Sequence, residues 1–323
     1  MAMVSRADDP IPPSDPVPER SVEQLLDFGI VVIDKPSGPT SHQVSAYVQQ
    51  ILHIRKSGHS GTLDPQVTGV LPVALGRATR TLGCLLSAGK EYVALMHLHA
   101  PVKESSVKKV FHTFTGTITQ LPPVRSSVKR QSRQRKVYAM EILEFHGQDV
   151  LFRADVQAGT YIRKLIHDMG QRLGCGAHMA ELRRTRAGPF FERQAIPLHD
   201  LADAFYYWKQ GNDKAIRRFI LPGEDCVSQL PKLWVHDGAV DAVCHGSPLA
   251  MPGIERFEDT IMAGDTIALM SLKGELIGLA RAEQDASHFK EEHGIAAKSS
   301  AVLMPVGTYE RCVPKVKAAA PEK

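Results

Sequence analysis

No stretch of this 323-residue chain approaches the ~20 consecutive apolar residues that a membrane-crossing helix requires. Its first residues lack the apolar core of a secretory signal. Cysteine is scarce and scattered: Cys84, Cys175, Cys226, Cys244 and Cys312 include no C-x-x-C pair. That spacing argues against a zinc site or a disulfide framework and for reduced thiols in a cytosolic protein. The excess of positive charge is small, 39 Lys and Arg against 35 Asp and Glu. Attraction to nucleic acid must therefore come from local patches, not from the molecule as a whole. Internal repeats are missing, as are the glycine-rich phosphate loop, the dinucleotide fingerprint and the metal-protease motifs. These absences leave a soluble, cytoplasmic chain of roughly two domains, expected to work without metal, cofactor or membrane.

What is present centres on Lys56-Ser-Gly-His-Ser-Gly-Thr-Leu-Asp-Pro65, which continues as Gln66-Val-Thr-Gly-Val-Leu-Pro72. Glycine is used where the chain needs positive φ or a close approach. Pro65 pushes Asp64 out of the helical region, so the carboxylate is presented by a stiff turn. A carboxylate held in this way can act as nucleophile or base.

Around that loop the pattern predicts a buried strand at Gly29–Ile33, then a helix over 41–53 introduced by the capping box Thr40-Ser-His-Gln43. A short helix is expected at Ala78–Leu86, a strand at Tyr92–Leu98, a helix over 104–114 and a strand at Gly116–Leu121. A hairpin of Tyr138–Phe145 with Val150–Val156 follows. Ile162, Leu165, Ile166, Met169 and Leu173 then form an apolar helical stripe that leaves Tyr161 and Arg163 off the buried face. An arginine at a helix N-terminus gains nothing from the macrodipole, so Arg163 is expected to answer an acid, with Asp64 the candidate. Leu198–Gln210 reads as an amphipathic helix. From Lys232 onward, short strands at Thr266–Leu272, Glu275–Ala280 and Ala301–Pro305 suggest a small all-β barrel.

Two stretches are rich in cations. Arg125, Lys129, Arg130, Arg133, Arg135 and Lys136 lie within twelve residues that hold no acid, and read as a mobile loop that clamps RNA phosphates. Arg183 and Arg184, in Glu181-Leu-Arg-Arg184, are further candidates for RNA contact.

Five motifs give these features a common meaning: Asp34-Lys-Pro-Ser-Gly38, Gly58-His-Ser-Gly-Thr-Leu-Asp-Pro65, Lys90-Glu-Tyr92, Gly159-Thr-Tyr-Ile-Arg163 and Glu181-Leu-Arg-Arg184. In order and spacing they resemble the TruB family of pseudouridine synthases, over about residues 28–312. The wording is most similar to the archaeal dyskerin-type branch of that family. The resemblance implies an α+β fold: a mixed, largely antiparallel central sheet flanked by helices, followed by an RNA-binding PUA barrel. It implies an extended N-terminal arm over 1–28 packed on the PUA domain, a catalytic domain at 29–222, a linker at 223–231, PUA at 232–312 and a disordered tail at 313–323.

It also implies roles. Asp64 is the catalytic carboxylate, Tyr92 stacks on the everted base and is a candidate for C5 deprotonation, and Arg163 orients Asp64. Tyr161 and Leu182 line the uracil pocket, and His59 helps displace the nucleotide. Lys35, Gly58 and Gly61 support the loop. The implied partners are tRNA, rRNA, a box H/ACA guide RNA and the small core proteins of that particle. Two other readings are an RNA-binding scaffold without catalysis and a carboxylate hydrolase. The first has no need of the Asp64, Tyr92 and Arg163 trio, and the second lacks a second well-placed acid.

Overall fold

The computed structural model describes residues 2–6, 19–121 and 131–311. The chain divides into two units, Ser21–Cys226 and Met1–Arg20 with Val227–Lys323. In chain order β1 (Met3–Ser5) belongs to the second. The first unit runs α1 (Val22–Asp27), β2 (Gly29–Lys35), α2 (Ser41–Ile51), β3 (Ser57–His59), β4 (Thr68–Leu75), α3 (Leu82–Ser87), β5 (Lys90–Leu98), α4 (Glu104–Phe114) and β6 (Gly116–Gln120). It continues with β7 (Arg133–His146), β8 (Asp149–Val156), α5 (Ile162–Leu173), β9 (Ala177–Ala187), β10 (Phe190–Phe191), α6 (Leu198–Lys209), α7 (Lys214–Phe219) and β11 (Ile220–Pro222).

The β-branched run of β2 is buried on both faces, as befits an inner strand. The sheet order is β11-β2-β4-β9-β5-β8-β7-β6, with β3 paired to β4 and β10 to β9. Every one of these pairs is antiparallel except β4 with β9, whose register sets Thr68 beside Arg183 and Gly69 beside Arg184. The fold is thus α+β with a mixed, largely antiparallel sheet. Helices α1, α2, α6 and α7 pack their apolar residues on β2 and β4. Helices α4 and α5 cover β5, β7 and β8, with Leu165, Ile166 and Met169 fully buried against Ala94, Met96 and Phe152.

Local chemistry fixes the helices nearest the Asp64 loop. The Thr40 side chain accepts from the Gln43 amide while the Gln43 side chain accepts from Thr40 N–H, a reciprocal cap that starts α2. Helix α5 stops at Gly174 in the left-handed region. Its Gly170 lies against the start of β9: an added Cβ would sit 2.2 Å from the Ala177 nitrogen.

The second unit holds β12 (Lys232–Val235), α8 (Asp237–Cys244), β13 (Leu249–Ala250), β14 (Ile254–Glu258), β15 (Thr266–Met270), β16 (Leu276–Ala282) and β17 (Ile295–Val302). Its sheet order is β1-β14-β12-β15-β16-β17-β13. Met3–Ser5 adds an antiparallel edge strand to β14. Helix α8 buries Val240, Val243 and Cys244 in the same core, so this unit is not purely β.

Three sequence readings need correction. Residues 22–27 are a helix of the first unit, not arm, because Ser21 and Gln24 form a capping box. The basic stretch is not a loop throughout: from Arg133 it is strand, paired with Gln120–Gly116. Residues 177–187, expected only to carry charge, form an eleven-residue strand between β4 and β5. Arg125, Lys129, Arg130 and the 313–323 tail lie outside the described residues.

Overpacking where α5 meets β9 gives a direct test. Gly170→Ala is expected to lower stability by roughly 1–3 kcal/mol, read as an earlier urea midpoint for the full chain. An unchanged midpoint would contradict the close approach.

Candidate active site

The loop between β3 and β4 is held from beneath by one buried cation. Lys35, at the end of β2, is wholly withdrawn from solvent, and its ammonium donates to the carbonyls of Pro36 (2.9 Å), Pro65 (3.0 Å) and Val67 (2.9 Å). All three ammonium protons are therefore satisfied. Burial pushes the Lys35 pKa down, and the nearby Asp64 carboxylate opposes that shift. The buried Ser41 hydroxyl holds the other side of the loop, exchanging hydrogen bonds with Leu63 N–H and C=O. The turn itself closes from Val67 N–H to Asp64 C=O at 3.0 Å, with Pro65 at its second position. Gly38 N–H donates to Pro65 C=O as well. Asp64 is thus an exposed side chain on a turn tied down at 63, 64, 65 and 67.

Arg163, in the first turn of α5, forms an ion pair with Asp64. The expected partner is the one found. Tyr92 of β5 is the register partner of Arg184 in β9, so phenol and guanidinium share one face of the sheet, and Tyr92 partly offsets the lowering of the Arg184 pKa by burial. Arg184 also donates to Val70 C=O (2.8 Å) and Gly61 C=O (3.5 Å). Asp64 and Arg163 therefore meet directly, and Tyr92 is linked to the same loop through Arg184. Leu182 shares the Tyr92 face of the sheet and packs, half-buried, on the α4–α5 core. Tyr161 is the residue before α5, and its backbone is clamped in both directions by the Gln120 side chain. A Cβ at Gly58 would lie 2.7 Å from Leu82 Cδ1, a contact that a shift of the leucine tip can relieve, whereas Gly61 has φ +128°, a conformation that favours glycine.

His59, at the end of β3, is half-buried and edge-on to the exposed His42 ring, 6.2 Å between centroids. Its Nδ1 is buried without a partner. Burial, then His42 and Arg184, hold its pKa below the ordinary histidine value.

The cation readings divide. Arg184 is 1% exposed, so its assignment to RNA is corrected: a guanidinium closed off from solvent does not meet a phosphate. Arg183 points to the opposite face, where it forms a bidentate pair with Asp34 (2.9 and 3.0 Å) and a further pair with Glu192. Its charge is already neutralised, which argues against its RNA assignment too. Arg135 packs against Gly159 at the entrance to α5, while Lys136 is exposed, 5.8 Å from the Tyr138 ring. Ser41 and Gln120 were missed from sequence. Ser41 sits in the Thr-Ser-His run that begins α2 and could have been suspected, but nothing in the wording around Gln120 marks it. Among the described residues no group of three or more His, Cys, Asp or Glu could hold a metal ion, and no helix is long and apolar enough to cross a membrane.

Comparison with known proteins gives this geometry a family. Residues 49–162 match the TruB family pseudouridylate synthase N-terminal domain and 163–228 the tRNA pseudouridylate synthase B C-terminal domain. Residues 231–303 match the PUA domain and 11–45 the DKCLD domain. The chain is 52% identical over 299 residues to the Pyrococcus furiosus protein named "Probable tRNA pseudouridine synthase B", covering 92% of this chain and 88% of that one. The Methanopyrus kandleri protein of the same name is 50% identical, at 92% and 88% coverage. The crystal structure of a Cbf5-Nop10-Gar1 complex aligns with TM-score 0.89 and 50% identity over 94% of both chains. A structure of an H/ACA RNP bound to a substrate RNA containing 2′-deoxyuridine aligns with TM-score 0.89 and 47% identity, over 96% of both chains. An isomerase of the pseudouridine synthase class is what fold and site together define. The chain belongs to its TruB family, with an appended PUA domain.

Two outcomes follow from the supports of the loop. Lys35→Met strands three buried carbonyls and is expected to cost about 3 kcal/mol. Lys35→Arg should not restore stability, because a planar fork cannot meet three carbonyls grouped around one point. Paired denaturation curves check both. For His59, a folded-state pKa below the unfolded value of 6.5 means that the unfolded chain binds the proton more readily between the two. The histidine's contribution is therefore intact above that window and is lost as pH falls through it. The melting-temperature advantage of wild type over His59→Gln should shrink from pH 7 to pH 5. An advantage that grows on acidification would contradict the assignment.

Proposed function

We propose that the chain isomerises uridine to pseudouridine in RNA with Asp64 as its catalytic carboxylate, Arg163 as the group that orients it and Tyr92 as the stacking surface for the everted base. The observation that carries this reading is the Asp64–Arg163 ion pair on a turn tied down at residues 63, 64, 65 and 67. Isomerisation breaks the N1–C1′ bond, turns the base and rejoins it through C5. The C5 proton leaves and N1 gains one, so no redox partner or energy source is consumed. A target base inside a helix or a stacked loop is out of reach, and must be extruded into a pocket with an aromatic face and an apolar wall. Tyr92, Tyr161 and Leu182 supply these, and His59 occupies the space left in the stack. Arg133, Arg135 and Lys136, with Arg125, Lys129 and Arg130 before them, grip the RNA by its phosphates. Arg183 and Arg184 take no part in that grip.

The names of the relatives support tRNA as one substrate, and its T-arm uridine is the position proposed. The solved neighbours, from a Cbf5-Nop10-Gar1 complex, an archaeal box H/ACA sRNP and an H/ACA RNP with substrate RNA, support a second mode within such a particle, for which rRNA uridines chosen by a guide RNA are the proposed targets. Both modes belong in the cytoplasm, where the four free cysteines among the described residues stay reduced.

Asp64→Asn preserves the shape of the carboxylate and removes its charge. Release of tritium from C5-labelled uridine in a tRNA transcript is expected to fall at least ~10³-fold, in line with the loss of a group that acts as a unit with its neighbours. Turnover near the wild-type rate would sink the assignment of Asp64.

A further inference from the structure

Arg184 is among the largest side chains wholly shut off from solvent, and among the described residues no carboxylate pairs with it. Its hydrogen-bond acceptors are Val70 C=O at 2.8 Å and Gly61 C=O at 3.5 Å, and Tyr92 lies beside it as its register partner in β5. Taking a guanidinium out of water is costly, and an apolar side chain of similar volume would fill the same space without that penalty. Packing alone therefore gives no reason for the charge.

The contacts give one. Gly61 lies in the loop that carries Asp64, Val70 lies in β4 just after that loop, and Tyr92 is the register partner of Arg184 in β5. The backbone at 184 is pressed on the same strand from the other side: a Cβ on Gly69 would sit 2.2 Å from the Arg184 carbonyl oxygen, and Gly69 has φ +103°. One residue thus spans the two elements that must stay in register for the reaction. A planar fork of five donors can reach acceptors in three directions, which a lysine ammonium on a flexible stem cannot do with fixed spacing.

We propose that Arg184 is a positioning residue of the isomerisation, fixing the Tyr92 phenol at a set separation from the Asp64 loop so that the stacked uridine presents its reacting atoms to the carboxylate. This rests on the catalytic reading of Asp64 and Tyr92 given above. A misplacement of about 1 Å in such an arrangement costs on the order of 10²-fold in rate. The loss belongs to the chemical step, because Arg184 itself never touches RNA.

The test is a cycle of Arg184→Lys, Tyr92→Phe and the double variant, measured by single-turnover tritium release from saturating tRNA transcript, with RNA affinity and melting temperature measured alongside. Arg184→Lys is expected to lower the rate on the order of 30- to 100-fold while RNA affinity changes less than about threefold. On the Tyr92→Phe background, which lacks the hydroxyl beside Arg184, the same substitution should cost less than about threefold more. Fully multiplicative losses, an unchanged rate, or a loss confined to affinity would overturn the proposal. Should Arg184→Lys fail to fold, Arg184→Gln replaces it in the cycle. Should both fail, Tyr92→Phe alone decides: it removes the polar group beside a buried guanidinium and must lower the melting temperature by about 2 °C or more, whereas an unchanged midpoint ends the idea. A wild-type rate in Asp64→Asn would instead sink the underlying catalytic reading, whatever the cycle shows.

Discussion

A lysine ammonium caged by three backbone carbonyls holds the Asp64 turn in place. Among the described residues no acid hydrogen-bonds to Lys35; it reaches the carbonyls of Pro36, Pro65 and Val67 from the end of β2. The same solution recurs twice nearby. Arg184 donates to two carbonyls and lies beside the Tyr92 phenol. Lys90, at the start of β5, donates to the carbonyls of Leu85, Leu86 and Ala88, and burial, with Arg184 and Arg186 beside it, pushes its pKa down to about 8. Carbonyl dipoles can satisfy a buried cation without adding a second negative charge to the site. A carboxylate counter-ion in any of these places would compete with Asp64 for Arg163. Among the described residues the three cages leave Arg163 as the guanidinium paired with Asp64, the pair on which the proposed reaction rests.

Strand alternation then sorts the charges of β9 between two jobs. Successive side chains of a strand face opposite sides of the sheet. Arg183 therefore turns toward Asp34 and Glu192, where it ties β9 to the motif that contains Lys35. Arg184 turns toward Tyr92 and the Asp64 loop. A shift of one residue in the pairing of β4 with β9 would exchange these roles and bury Arg183 without its acids. The parallel register of Thr68 with Arg183 and Gly69 with Arg184 is thus a functional constraint as well as a structural one.

That alternation also marks the limit of what the amino-acid order could reveal. The motif residues and helices α2, α4 and α5 were legible because capping boxes and a 3.6-residue apolar stripe leave a local signature. The Asp64–Arg163 pair was legible by elimination, since a cation at a helix N-terminus has no local reason to be there. Strand β9 was not legible: Glu181, Arg183, Arg184 and Arg186 make it look like a polar segment, and only long-range partners on two flanking strands reveal that its arginines are satisfied. The two arginines were read as RNA contacts for that reason. Residues 22–27 failed in the opposite way, as the proline-rich residues before them outweighed a capping box at Ser21 and Gln24. Arg133–Lys136 was read as loop because charge hides a strand whose neighbour, β6, comes from the other side of the basic run.

The Asp64–Arg163 pair itself is poorly placed to stabilise the fold. Its side chains are 55% and 52% exposed, and ion pairs so open to water are worth about 0–1 kcal/mol. The tight supports under the loop are therefore not explained by the strength of the pair they present. In the proposed reaction they are explained by what an incoming nucleotide would do. A base stacked on Tyr92 would displace water from the carboxylate, and with the water would go most of the screening. A charge that was cheap in solvent becomes strongly dependent on Arg163, and a flexible loop would respond by swinging Asp64 away from the sugar. Lys35, Ser41 and the Pro65 turn prevent that response, so the rigidity built into the loop resists the change in dielectric that substrate binding imposes.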